Sequence, residues 1–112
     1  MYQNFIGIDI SKKDYSVAVQ GKKAVCFYPN TKEGFEAFYE VYKAILKTGL
    51  VALETTGGYE LSLISYLQER AVAVHRANTR KVKYFIRSLG RLGKSDAIDA
   101  LGLAAYGFER QA

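Results

Sequence analysis

The chain of 112 residues has a single cysteine, Cys26, so no internal disulfide can form, and such sparing use suits a reducing cytosol. Its neighbours, Ala24-Val25-Cys26-Phe27, point to a buried strand residue rather than a reactive thiol. No apolar run approaches the roughly 20 residues that a membrane span needs. The opening Met1-Tyr2-Gln3-Asn4 lacks the basic-then-apolar order of a secretory leader. A cytoplasmic protein with no membrane partner is therefore expected. There is no repeat, no low-complexity tract and no interior boundary, so residues 1–112 are expected to form one domain. Acids are the scarcer charge, with 11 Asp and Glu against 16 Lys and Arg, a net of +5. Apolar residues make up 49%, enough for a packed core.

The apolar pattern predicts three opening strands. Ile6, Ile8 and Ile10 alternate with Phe5, Gly7 and Asp9; Tyr15, Val17 and Val19 alternate with Ser16 and Ala18; Val25 and Phe27 alternate with Ala24, Cys26 and Tyr28. The links 11–14 and 20–23 are short and polar, and links that short join only antiparallel neighbours. Pro29 ends this meander. Asn30, with Glu33 three residues on, predicts a capping box for a first helix whose apolar residues run from Phe35 to Leu46 and which Gly49 stops. The fully apolar run 50–54 reads as a buried parallel strand. A second helix is expected over about 59–70, a fifth strand over 71–75 with His75 at its end, and further helical stretches near 79–89 and 95–108. Gly90-Arg91-Leu92-Gly93 between those last two reads as a break or mobile loop. Right-handed crossovers then place strand four beside strand one, in the order 3-2-1-4-5, with helices on both faces of a mixed α/β sheet.

That topology brings two acids together. Asp9 and Glu54 are 45 positions apart in sequence, yet both fall at the carboxyl ends of the adjacent strands one and four, where open α/β sheets favour ligands. Asp96 and Asp99, three apart, would share one face of a helix. Four clustered carboxylates repel one another unless divalent cations neutralise them. Mg²⁺, with Mn²⁺ as a substitute, prefers carboxylate and water oxygens, and a pair of such ions suits phosphodiester cleavage. Asp9 is expected to bridge the ions, Glu54 to hold one side, and Asp96 and Asp99 to close the site. Without ions, some of these acids should titrate above their ordinary range. Ser95 reads as the cap of the last helix rather than as a nucleophile.

Setting those four acids aside leaves 16 bases against 7 acids, a net of +9, which favours a polyanionic partner. The bases concentrate in Arg76, Arg80, Lys81, Lys83, Arg87, Arg91 and Lys94, interleaved with Tyr84 and Phe85, and no acid lies between Arg70 and Asp96. A one-signed stretch beside a carboxylate site would steer a nucleic-acid backbone toward it. In Thr55-Thr56-Gly57-Gly58-Tyr59 the glycines would let backbone approach a phosphate, although an ordinary tight turn explains them equally well. His75, the only histidine, is read as a packing residue.

Three segments, Gly7-Ile8-Asp9-Ile10-Ser11-Lys12, Glu54-Thr55-Thr56-Gly57-Gly58-Tyr59 and Gly93-Lys94-Ser95-Asp96-Ala97-Ile98-Asp99-Ala100, together resemble the N-terminal domain of the DEDD insertion-sequence transposases, a group that includes the Piv DNA invertases. The resemblance implies an RNase H-like, RuvC-like fold. It also implies Asp9, Glu54, Asp96 and Asp99 as a Mg²⁺-binding tetrad, and DNA mobilised by site-specific recombination. Some relatives use a structured guide RNA, and a homo-oligomer is expected of the full-length protein. Asn78 and Arg80 sit where the family often has a short polar motif. Members of this group carry a second, serine-bearing C-terminal domain. The chain stops at Ala112, so an excised domain or truncated product is expected, and recombination by it alone is not. Two other readings compete. One is an actin-like ATPase-fold fragment, which would want glycines and a hydroxyl after Asp9. The other is a nucleic-acid-binding or dimerisation module whose acids no longer hold metal.

Overall fold

In the computed structural model, which describes residues 2–54, 57–77, 81, 84, 85 and 100–110, five strands form one mixed sheet in the order β3-β2-β1-β4-β5. The strands β1 (Asn4–Ile10), β2 (Asp14–Val19) and β3 (Val25–Pro29) make the antiparallel meander that their short links require. Helix α1 (Lys32–Leu46) crosses over to bring β4 (Gly49–Glu54) parallel to β1, and α2 (Leu61–Gln68) does the same for β5 (Ala73–Ala77) beside β4. The chain returns in α3 (Ala100–Arg110); Lys81, Tyr84 and Phe85 are also helical.

Three local expectations shift. The cap of α1 is Thr31, whose hydroxyl oxygen accepts from the Gly34 amide at 3.1 Å. Asn30 instead directs its side-chain amide to the carbonyls of Ser11 (3.0 Å) and Tyr59 (3.1 Å), stitching together the loops that follow β1, β3 and β4. With the cap one residue later, Glu33 favours the helix dipole but cannot complete a capping box. Helix α1 ends at Leu46, and Gly49 opens β4 rather than stopping the helix. Strand β5 begins two residues later than the apolar run suggests. Ala71 takes the left-handed conformation (φ 60°), its amide bonds to the Gln68 carbonyl and the Val72 amide to the Leu67 carbonyl, so 71–72 close α2 in a Schellman turn. His75 therefore lies mid-strand, exposed, with its ring stacked on Tyr106 at 6.0 Å.

The two faces of the sheet differ in residue size. Ile6, Ile8, Ile10, Tyr15, Val17, Val51 and Leu53 pack against Phe35 and Phe38 of α1 and Leu63 and Leu67 of α2. Tyr15 is fully buried here and donates its hydroxyl to the Gly34 carbonyl at 2.9 Å; burial pushes its pKa well above the ordinary tyrosine range. The opposite face carries Gly7, Ala18, Ala52, Ala73 and Ala77, small residues that admit α3 closely. A Cβ on Gly7 would collide with the Ala100 carbonyl oxygen and the Ala104 amide. Ala77, Leu103 and Tyr106, with Phe85 alongside, form the core of this face. Phe5 meets Phe108 edge-on at 5.3 Å, so α3 runs antiparallel to β1, with its N-terminal end toward the carboxyl end of that strand. Strand β3 is an edge, and Cys26 on it is half-buried rather than buried.

Candidate active site

Strand register sets the two acids side by side. The β1–β4 ladder runs from Asn4–Gly49 to Ile8–Leu53, and the next residue on each strand is Asp9 and Glu54. Partners in register share a face, and neighbouring strands lie about 5 Å apart. Asp9 also pairs with Ser16 of β2, and Glu54 with Ala77 of β5, so the row Ser16–Asp9–Glu54–Ala77 crosses the sheet near its carboxyl edge. Both acids are half-buried and lie on the face that α3 covers. Gly7 is two residues before Asp9 on the same face, which puts Ala100 about 7 Å short of Asp9 along the strand.

Two half-buried carboxylates on rigid adjacent strands are a hard-oxygen donor set that fits a divalent cation. Among the described residues, no three His, Cys, Asp or Glu come close enough to hold a metal. Asp96 and Asp99, together with Thr55, Thr56, Asn78 and Ser95 and the 90–93 segment, lie outside those residues.

The turn after Glu54 holds a residue that sequence reasoning passed over. Gly57 and Gly58 both have positive φ (71° and 104°), which explains the glycine pair as backbone necessity. The Gly58 amide donates to Glu60 Oε1 at 3.2 Å, so it is already engaged and is not on offer to a phosphate. Glu60 is 1% exposed, the one buried charged side chain among the described residues. Its other oxygen, Oε2, takes a hydrogen bond from Arg76 Nη2 at 2.9 Å. An acid in the first turn of a predicted helix was visible in the sequence, but its partner on β5 depends on a register that no local pattern reveals.

Of the basic stretch, Arg76 and Lys81 are described, while Arg80, Lys83, Arg87, Arg91 and Lys94 lie outside the described residues. Arg76 is half-exposed with one edge on Glu60, and Lys81 is exposed. Phe85 packs on Tyr106 at 5.7 Å, beside β5 on the α3 face, and Tyr84 faces solvent, whereas Arg76, the register partner of Leu53, lies on the opposite face of β5 with Glu60.

The sheet order, the crossovers and the carboxyl-edge acids define an RNase H-like domain of the RuvC type. The fold is similar to the Thermus thermophilus RuvC structure, with a TM-score of 0.58 over 97% of each chain at 18% identity. A family model described as transposase, that of the DEDD IS110 type, matches residues 6–112, and the chain belongs to that family. No curated protein matches the chain significantly. The domain is thus a RuvC-like domain of a DNA transposase, an enzyme family whose substrate is DNA. Among the described residues, no helix is long and apolar enough to cross a membrane.

Proposed function

We propose that this domain cleaves or joins DNA phosphodiester bonds at a Mg²⁺ centre held by Asp9, Glu54, Asp96 and Asp99, and that the bases from Arg76 to Lys94 carry the DNA backbone to it. The observation that carries the reading is the placement of Asp9 and Glu54 on one face, one register step past Ile8–Leu53. Asp99 and Asp96 are supported by the direction of α3. Asp99 is bonded to Ala100, the helix residue that meets Gly7, and the N-terminal end of α3 is the end nearer the two strand acids.

Bound divalent ions would polarise the phosphodiester and lower the pKa of an attacking water or hydroxyl. The residues of the chain do the rest. Asp9, flanked in its row by Ser16 and Glu54, would contribute its carboxylate to the ions, and Glu54 would hold one flank. The proposed DNA contacts of Arg76, Arg80, Lys81, Lys83, Arg87, Arg91 and Lys94 are with phosphates, which position the duplex without reading its sequence.

Calorimetry with Mn²⁺ tests the reading. Wild type should bind, and Asp9→Asn should lose most of that binding while keeping its fold. Equal binding by the two proteins would assign the metal to an adventitious surface site.

A further inference from the structure

A buried carboxylate is expensive unless it is charge-paired and hydrogen-bonded, and Glu60 is both. Its two oxygens reach different parts of the chain: Oε1 takes the Gly58 amide at 3.2 Å and Oε2 takes Arg76 Nη2 at 2.9 Å. Each partner leads back to Glu54. Gly58 is four residues downstream of Glu54, in the turn through which the chain leaves β4, and both glycines there hold positive φ. Arg76 is the register partner of Leu53, and the next pair in that ladder is Glu54–Ala77. Glu60 itself sits at the start of α2, and its carbonyl accepts the Ile64 amide at 3.0 Å. One side chain thus ties the exit turn of β4, the head of α2 and the strand that flanks Glu54.

We propose that Glu60 is a positioning residue for Glu54, with Arg76 as its anchor on β5. The carboxylate fixes the turn on one side of Glu54 and the neighbouring strand on the other, so that the Glu54 side chain is presented toward Asp9 before any ion arrives. This rests on the reading of Asp9 and Glu54 as metal ligands. It assigns Arg76 a structural contact in addition to any phosphate contact made by its exposed edge.

Partners that hold a metal ligand in place change affinity by about 10–100-fold when removed. Mn²⁺ calorimetry on Glu60→Ala should show affinity reduced by about tenfold. Glu60→Gln, which keeps an acceptor for the Gly58 amide but loses the charge facing Arg76, should fall between Glu60→Ala and wild type. Val19→Ala, a core truncation at the far end of β2, controls for lost stability and should leave affinity unchanged. Nuclear magnetic resonance supplies a readout without metal: Glu60→Ala should speed exchange of the Gly58 amide and move the Glu54 carboxyl resonance more than that of Asp9. An unmoved Glu54 resonance overturns the proposal whether or not metal binds. So does wild-type Mn²⁺ affinity in Glu60→Ala when Asp9→Asn has lost it, a result that would leave the metal site standing. Absence of Mn²⁺ binding in wild type itself would refute the metal site instead, with the resonance experiment still deciding the role of Glu60.

Discussion

Gly7→Ala is the smallest change that should separate α3 from the sheet. The backbone of Gly7 is ordinary strand, so conformational strain is not at issue; the question is space. An added Cβ would lie 3.0 Å from the Ala100 carbonyl carbon and nearer still to that carbonyl oxygen and to the Ala104 amide. Overpacking that side chains can relieve costs about 1–3 kcal/mol. Here both obstacles are helix backbone, so the cost belongs at or above the top of that range. Against it stands about 1 kcal/mol gained because alanine has fewer unfolded conformations. The net loss is about 2 kcal/mol or more, and for a domain of this size each kcal/mol lowers Tm by about 4 °C. A fall of about 8 °C or more is therefore expected in a thermal melt followed by circular dichroism, with a matching drop in the urea midpoint. Because α3 must retreat where it approaches the edge carrying Asp9 and Glu54, Mn²⁺ affinity should fall as well. Gly21→Ala is the control. Its Cβ meets nothing within 4 Å, but its φ of +91° is strained for alanine, at about 1–2 kcal/mol. If Gly7→Ala costs no more than Gly21→Ala, the close approach of α3 to β1 is not as described and the support it lends Asp99 is withdrawn.

Two further outcomes are expected. Tyr15 has a folded pKa raised by burial above the ordinary value near 10, and Tyr28 and Tyr42 shift the same way for the same first cause. Their contribution is complete below that pH and is lost as pH rises through it, because ionisation favours the unfolded chain. Tyr15→Phe should cost about 1 kcal/mol at neutral pH through the lost bond to Gly34, and should flatten the alkaline decline seen in urea titrations at successive pH values; an unchanged slope would contradict the buried hydroxyl. On the nucleic-acid side, log affinity should fall with log salt by about 0.9 per phosphate contacted on duplex DNA. Reversing Arg80 and Arg87 to Glu should weaken gel-shift binding across unrelated sequences and reduce that slope, whereas unchanged binding would assign the basic stretch to protein contacts.

Most of the fold was legible because loop length and apolar period act locally. Links of a few polar residues around Lys12 and Gly21 left β1, β2 and β3 no choice but antiparallel pairing, and two helix-length crossovers forced β4 and β5 to run parallel. The misjudged boundaries fall where two residues competed for one task. Asn30 and Thr31 are both good caps, and the decision went to Thr31 because the Asn30 amide had two carbonyls, of Ser11 and Tyr59, within reach in the folded chain. Ala71 and Val72 have the composition of a strand but close α2, because the chain must reverse somewhere and Ala71 accepted the left-handed turn.

The site divides along the same line. The adjacency of Asp9 and Glu54 could be foreseen because each lies at the carboxyl end of an apolar strand and topology alone makes those strands neighbours; no side-chain detail was needed. Glu60 and Arg76 could not, because their pairing depends on two quantities absent from any local window: the register of β5 against β4 and the path of the turn at Gly57 and Gly58. Arg76 in the sequence is the first of seven bases and reads as part of a field. In the fold it has a specific acid under one edge. A cluster of like charges is therefore an upper bound on the charge a partner meets, and the reduction comes from acids delivered by other elements. For the remaining bases of this stretch the salt slope measures what is left: each base engaged inside the protein, as Arg76 is, contributes less to it than a base held on phosphate.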